Sequence, residues 1–307
     1  MKCSFVTTEN LPNRKRPRRG VSRVIGLLVL SLSVITYRPL ATYALSVAGG
    51  AGWGTPGNNG PPLKLGPTNA QTCFLSGVSG DFVGNPALYA QPDIFLPASA
   101  EVFEQDGFWF LQTRAGVGTG VFAKAICINV TANRVEFPWG DNISSQGVPA
   151  TPNRHCFLRS VWATSGLSGQ VGALQTNLTI RKIGNEFNMN GSFVNHAGGD
   201  YNFGGAIAVC VDIVPSGHWG FTFIGPTNAT NSATTTVTLR NFFPNGPPVP
   251  VAGVGCFLTG IAGRWMNANP DPLGWFDGTW LTGDPKVSPN WQITVSNGRQ
   301  ANVTCLE

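Results

Sequence analysis

Six of the seven cysteines stand where oxidation would join them in pairs. Cys3 lies near the amino terminus, and the other six are Cys73, Cys127, Cys156, Cys210, Cys256 and Cys305. Taken as successive first and second partners, they are separated by 54, 54 and 49 residues. An even set at a recurring spacing indicates disulfides, whereas zinc sites need close pairs such as C-x2-C, which the chain lacks. The spacing predicts one bridge within each successive pair and no metal site.

Side chains that could carry catalysis show no shared pattern. The hydrolase motif G-x-S-x-G and the phosphate-binding and dinucleotide-binding glycine motifs are absent, so no cofactor is expected. The histidines do not recur at equivalent positions: His155, His196 and His218. Four acids lie near one another in the chain, and two of them could form the catalytic pair of a glycosidase: Asp81, Glu101, Glu104 and Asp106. Since acids on a solvated strand face are far commoner, we expect no enzyme, with a hydrolase as the alternative.

Tryptophan is the remaining source of binding chemistry, with nine residues in the chain. Trp109 and Trp291 precede a second cysteine at similar distances and are expected in the core. Four others do not recur and lie within two positions of glycine, proline or serine: Trp139, Trp162, Trp219 and Trp275. An indole on a rigid β-framework stacks on a sugar or holds a protein partner, although capping a small core is the commoner role. Trp219, with the neighbouring His218, is the preferred candidate for a ligand contact.

The amino terminus predicts export. Residues 1–44 hold eight basic residues and one acidic residue, and an apolar run of about 13 residues follows the basic part. That run is shorter than the roughly 20 residues that span a bilayer, so we expect a signal peptide cut after Ala44, or after Ala48. An uncleaved membrane anchor is the alternative. The rest of the chain has twelve basic and fourteen acidic residues, which gives no electrostatic case for nucleic-acid binding.

The elements that must position these residues repeat along the chain. Cys-Phe-Leu starts at Cys73, Cys156 and Cys256, and each second cysteine ends an alternating, strand-like segment. An aromatic residue precedes each second cysteine, at Trp109, Phe193 and Trp291, and a turn-rich segment separates the two. This order predicts a β-hairpin that ends at the second cysteine, with Phe-Leu in the core of its own repeat.

The predicted fold class is therefore all-β, with three disulfide-stapled repeats, each like a small sandwich or barrel. The expected domains are a signal peptide at 1–44, a flexible Gly/Pro-rich leader at 45–71, and repeats at 72–154, 155–254 and 255–307. Strand-like connectors after the first two repeats are either optional or pair with the following repeat. Residues 243–255 resemble a linker in composition.

The predicted function is a secreted or cell-surface, non-catalytic role. Binding or adhesion to a glycan or a protein, or assembly at a surface, is the first hypothesis. A secreted hydrolase is the second, and a purely structural envelope component is the third. No nucleic-acid partner is expected. Contact with a membrane is expected only if the amino-terminal segment is not cleaved.

Overall fold

The described part of the chain consists of strands and the segments that join them. The computed structural model describes residues 61–80, 82, 98–114, 121–140, 147–163, 177–192, 204–213, 234–240, 246–263, 278–296 and 299–307, and the backbone alone at 45–46 and 218–224. Within these residues no helix occurs. The strands are β1 (Leu45–Ser46), β2 (Leu63–Pro67), β3 (Thr72–Gly80), β4 (Ala98–Gln105), β5 (Phe108–Arg114), β6 (Val121–Ile128), β7 (Val135–Gly140), β8 (Val148–Pro149), β9 (Arg154–Ala163), β10 (Asn177–Ile183), β11 (Glu186–Ser192), β12 (Gly204–Asp212), β13 (His218–Ile224), β14 (Thr234–Thr238), β15 (Gly255–Gly263), β16 (Gly278–Thr282), β17 (Gln292–Ser296) and β18 (Arg299–Leu306).

The strands form three antiparallel sheets of six strands each. Sheet I has the order β1-β6-β3-β16-β17-β14, sheet II the order β7-β12-β9-β4-β5-β2, and sheet III the order β13-β18-β15-β10-β11-β8. In each sheet the two strands that carry a bridged cysteine pair lie side by side. The hairpin beside them comes from a different part of the chain. The strands of one cysteine segment therefore do not form a self-contained sandwich or barrel, and that part of the expected fold is wrong.

The sequence pattern explains which strands lie inside. Strand β3 is buried at every position, which matches its continuous run of apolar and small residues. Strand β5 alternates between buried and half-buried positions, as a strand with one core-facing side should.

Two of the hairpins turn on residues with left-handed backbone. Asp106 and Gly107 join β4 to β5 with φ of 50° and 76°, and Gly184 begins the turn between β10 and β11 with φ of 61°. Positive φ at such positions is what a two-residue hairpin turn requires, and Asp-Gly suits it best. The third hairpin, β16–β17, is joined by a longer segment at 283–291.

The three phenylalanines of Cys-Phe-Leu contact one another in the core. The ring centroid of Phe74 lies 4.8 Å from that of Phe157 and 5.3 Å from that of Phe257, and the latter two are 4.3 Å apart. All three are buried, on β3, β9 and β15. The prediction that each phenylalanine packs in its own repeat is therefore wrong, because the three sheets bury their apolar faces against one another in one shared core.

The predicted hairpins into the second cysteines are also wrong. Strand β5 lies in sheet II while β6 lies in sheet I, and β11–β12 and β17–β18 are likewise split between sheets. An alternating pattern determines which face of a strand is buried, but it leaves open which strand pairs with its edge. Of the two alternatives for the connectors, pairing with the following repeat is the one observed, since β7 pairs with β12 and β13 pairs with β18.

Segments that resembled a leader and a linker belong to the fold. Strand β2, within the predicted leader 45–71, pairs with β5, and β1 pairs with β6. Val249 and Val251, within the predicted linker, are buried in the core. High Pro and Gly content misled these predictions because both residues are tolerated at sheet edges and bulges, such as the register shift at Lys64/Gly66.

All three predicted cysteine pairs are bridged. Each joins directly opposite residues of neighbouring strands, with a Cα–Cα distance of 4.0 Å. The described strands fall within one compact unit, Ala41–Glu307. The predicted signal peptide at 1–44 lies outside the described residues, and the predicted boundaries of the three repeats stay predictions. Among the described residues no helix is long and apolar enough to cross a membrane.

Asp212, at the end of β12, ties three segments together. Its carboxylate accepts hydrogen bonds from Asn133 Nδ2 at 2.7 Å, Arg154 Nε at 3.0 Å and the Thr151 hydroxyl at 3.4 Å. Partial desolvation works against the charged carboxylate, but these hydrogen bonds and the Arg154 charge outweigh it and lower the pKa of Asp212 below its ordinary value.

Candidate functional site

A row of five residues crosses sheet I on one of its faces. The register places Lys124 opposite Gly77, Gly77 opposite Trp280, Trp280 opposite Thr294, and Thr294 opposite Thr236. Directly opposite residues of antiparallel strands point to the same face of a sheet. We call this surface the Lys124 face.

Strand alternation explains why the side chains of Lys124 and Trp280 avoid the core. On β6, Ala123 and Ala125 are buried in the core, so Lys124 between them points the other way and is half-buried. On β16, Leu281 is buried in the core and the preceding Trp280 is half-buried on the Lys124 face.

Gly77 brings the indole and the amine together. A Cβ at Gly77 would fall 2.5 Å from the Cβ of Trp280, so β16 could not approach β3 this closely with any larger residue. The Lys124 amine lies 5.7 Å from the centroid of the Trp280 ring, within the range of a cation–π contact. Beyond the indole, the hydroxyls of Thr294 and Thr236 are hydrogen-bonded to each other at 2.9 Å.

A cavity of about 760 Å³ opens beside Lys124. Its lining includes Ser76, Lys124 and residues 251–253 and 281–287. Ser76 reaches it from a β-bulge, since the register of β3 shifts between Leu75 and Gly77. The 283–291 connection, longer than the turns of the other two hairpins, supplies one wall. The volume is within the range of ligand sites.

The charges of the cavity are two lysines and one aspartate. Burial lowers the pKa of Lys124, because removal from water disfavours the charged amine. Lys286 and Asp284 lie on the 283–291 connection and are exposed. Asp284 Oδ1 accepts a hydrogen bond from the backbone N–H of Lys286 at 2.9 Å. The cavity thus combines two amines and one carboxylate with apolar lining residues.

The tryptophans singled out from the sequence do not join this site. Trp139 is half-buried and packs against the core. Trp162 fills the space above Gly205, where a Cβ would fall 2.2 Å from its ring. Both belong to sheet II and lie opposite consecutive residues of β12, Gly205 for Trp162 and Ala206 for Trp139, which point to opposite faces. The structure therefore does not gather them on one surface.

The side chain of Trp219, the preferred candidate, lies outside the described residues. Its backbone is on β13, opposite Cys305. The side chain of His218 and the whole of Trp275 also lie outside the described residues. Their predicted roles in ligand binding stay predictions.

One acid from the predicted cluster and one other acid of sheet II form ion pairs. Glu104 contacts Arg134 at 2.5 Å, and Glu136, which the sequence did not single out, contacts Arg159 at 3.0 Å. Burial raises the pKa of Glu136, Arg159 opposes the shift, and Glu104 and Glu101 add to it. An arginine beside a carboxylate stabilises its charged form and so works against a raised pKa.

The other residues considered for catalysis are dispersed. Asp106 forms the β4–β5 turn, and His155 is half-buried on β9. Asp81 and His196 lie outside the described residues. In the part of the chain that the structure describes, no group of three or more His, Cys, Asp or Glu side chains could hold a metal ion.

The residues that the sequence reasoning missed are Trp280 and Lys124. Alternation in "VFAKAIC" and "GTWLTG" was the available signal, since it places each of them opposite a core-facing neighbour. Nothing in the sequence indicated that Lys124 and Trp280, 156 positions apart in the chain, would lie on two strands that both pair with β3.

Fold and site together define an all-β protein with three disulfides and a polar, tryptophan-bearing sheet face beside a cavity. Comparison with models of known protein families, with curated proteins and with solved structures finds no match for this chain.

Proposed function

We propose that this chain is an exported, non-catalytic binding protein that contacts a glycan through the Lys124 face of sheet I. The observation that carries the proposal is Trp280, half-buried on a face where the residues opposite it are Gly77 and Thr294. Indole rings stack on the C–H faces of sugars. Lys124 of this face also lines the cavity beside it.

The framework of the proposed protein is three interlocked repeats. Two observations support it. The three sheets follow one order, in which a second-cysteine strand, a first-cysteine strand and a hairpin lie in succession. Each first-cysteine strand also has a register shift at the residue after its leucine, at Ser76, Arg159 and Thr259. In sheet I, β1 takes the place that β7 and β13 hold in the other two sheets.

Export is supported by the three bridges, which form and persist in oxidising compartments. The basic and apolar amino-terminal sequence supports it independently. A non-catalytic role is supported by the ion pairs that hold Glu104 and Glu136.

A glycan screen with the full-length exported protein tests the proposal. Trp280→Ala should weaken binding to the best glycan by about 2 kcal/mol, or roughly 30-fold, as loss of an aromatic anchor does. Trp162→Ala is the matched control, because Trp162 is also a half-buried strand tryptophan but belongs to sheet II. It should lower the melting temperature and leave the affinity of the folded protein unchanged.

Unchanged glycan affinity in folded Trp280→Ala would refute the assignment of the site. Absence of binding to every glycan, together with capture of a protein partner, would replace the glycan with a protein ligand. Retention of the full chain in the cytoplasm of its native host would contradict export.

A further inference from the structure

We propose that a second copy of this chain extends sheet I, through antiparallel pairing of strand β14 with the β14 of that copy about a twofold axis. The contact is a strand edge rather than a ligand cavity, and it does not depend on the proposed glycan function. The inference follows from the exposure of β14, from its composition and from the direction of its backbone groups.

Strand β14 is an outer strand of sheet I that lacks the usual protection of a sheet edge. Its sequence is Thr-Thr-Thr-Val-Thr, and its first three residues are exposed. Natural proteins protect edge strands with charges, proline, bulges or short length. Strand β2 has Lys64, Pro67 and a register shift, β7 has Pro138, and β1 and β8 have two residues each. Strand β13 has no proline, lysine or acid in its sequence either, but its side chains lie outside the described residues.

The backbone groups of alternate β14 residues point away from β17. The Leu239 N–H donates to the carbonyl of Trp291 at 2.9 Å, which continues the β14–β17 register by one residue. Because hydrogen-bonded and non-hydrogen-bonded pairs alternate along an antiparallel ladder, the odd-numbered residues of β14 bond to β17. The N–H and C=O groups of the even-numbered residues therefore point outward, at Thr234, Thr236 and Thr238.

These outward groups match the same groups of a second copy. Antiparallel pairing centred on Thr236 places this residue opposite its own counterpart and places Thr234 opposite Thr238, so that each outward N–H meets an outward C=O. Strand β14 contains no charged side chain, so nothing in it repels an identical strand. Threonine pairs directly across two strands also stabilise a sheet. An identical strand is therefore the occupant that fits this edge.

The pairing continues the Lys124 face from one copy to the other. Thr236 lies in the row of that face, opposite Thr294, which lies opposite Trp280. A strand spacing of about 4.8 Å puts the two Trp280 positions about 24 Å apart along the row. The second copy thus extends the face in the direction in which the row already runs.

Charged variants at the centre of the contact test the proposal on the full-length protein. Sedimentation velocity should show a monomer–dimer equilibrium of the wild type between about 1 µM and about 1 mM. Thr236→Lys and Thr236→Asp should each raise the dissociation constant at least about tenfold, because like charges would face each other across the twofold axis. An equimolar mixture of the two variants should regain the dimer, since opposite charges then meet. Thr131→Lys, at an exposed threonine outside the strands, is the matched control and should dimerise like the wild type.

Amide hydrogen exchange in the wild type guards against a variant that does not fold. Exchange at Thr236 should slow as the protein concentration rises, and exchange at Thr131 should not depend on concentration. A wild type that stays monomeric at about 1 mM overturns the inference. Dimerisation that Thr236→Lys leaves unchanged, or a mixture that associates no more tightly than either variant alone, assigns the contact to another surface and overturns it too.

Discussion

Removing the Cys156–Cys210 bridge should destabilise the whole described unit at once. The double variant Cys156→Ala/Cys210→Ala cuts the link between β9 and β12, which close a ring with a sequence separation of 54 residues. Chain entropy alone gives such a bridge about 4 kcal/mol of stabilisation, because the cross-link restricts the unfolded chain. Both strands also pair with strands from the first part of the chain, β9 with β4 and β12 with β7. A loosened β9–β12 pair therefore loosens sheet II as a whole.

The shared phenylalanine cluster extends the effect to the other sheets. Phe157 of β9 contacts both Phe74 of β3 and Phe257 of β15, so the three sheets lose packing together. We expect one cooperative unfolding transition whose free energy falls by about 4 kcal/mol, rather than early loss of one third of the molecule.

Equilibrium unfolding in urea is the assay. Tryptophan fluorescence is recorded in Trp109→Phe and Trp291→Phe backgrounds, so that the remaining signal is weighted toward different sheets, and far-UV circular dichroism reports the strands. The transitions should coincide in all cases. Cys73→Ala/Cys127→Ala is the control, and should cost a similar amount because its ring has the same length. Two resolved transitions, with the 155–254 segment unfolding first, would refute the interlocked architecture.

Two further predictions concern sheet II. Gly205→Ala should lower the free energy of unfolding by about 1–3 kcal/mol, because the new methyl group would overlap the ring of Trp162. Gly220→Ala is the control, since a Cβ at Gly220 meets nothing within 4 Å. Equal urea midpoints for the two variants would contradict the packing of Trp162 on Gly205. Asp212 has a lowered pKa in the folded state, so its contribution to stability is present above the unfolded value of about 3.9 and is lost as pH falls through the lower folded value. Asp212→Asn should therefore be less stable than the wild type at pH 7, and the difference should shrink below about pH 4; a difference in urea midpoint that does not change with pH would refute the assignment.

Several elements follow from local sequence. The recurring separations of 54 and 49 residues between cysteines predicted all three bridges, because an even number of cysteines at a repeated spacing favours pairing within each repeat. Trp109 and Trp291 were expected in the core, and both are buried, with their indole N–H groups donating to the carbonyls of Gln71 and Val254 at 2.7 and 2.8 Å.

Other features had a local signal that was overlooked. "QDGF" contains Asp106-Gly107, the residues preferred in a two-residue hairpin turn, and it joins β4 to β5. Phe193 was taken as the aromatic residue of the second repeat, but it lies outside the described residues. Its predicted place in the core stays a prediction. Phe187, on β11, packs against the core.

The sequence by itself determined that the chain is all-β, which cysteines pair and which side of each strand is apolar. These properties depend on residue type, on spacing and on a period of two, all of which act locally. Only the tertiary structure decided which strands become neighbours, since an amphipathic strand satisfies its buried face against any complementary sheet. For that reason the hairpins were assigned to the wrong partners. For the same reason the row from Lys124 through Gly77 to Trp280, which joins residues far apart in the chain, was not apparent from the sequence.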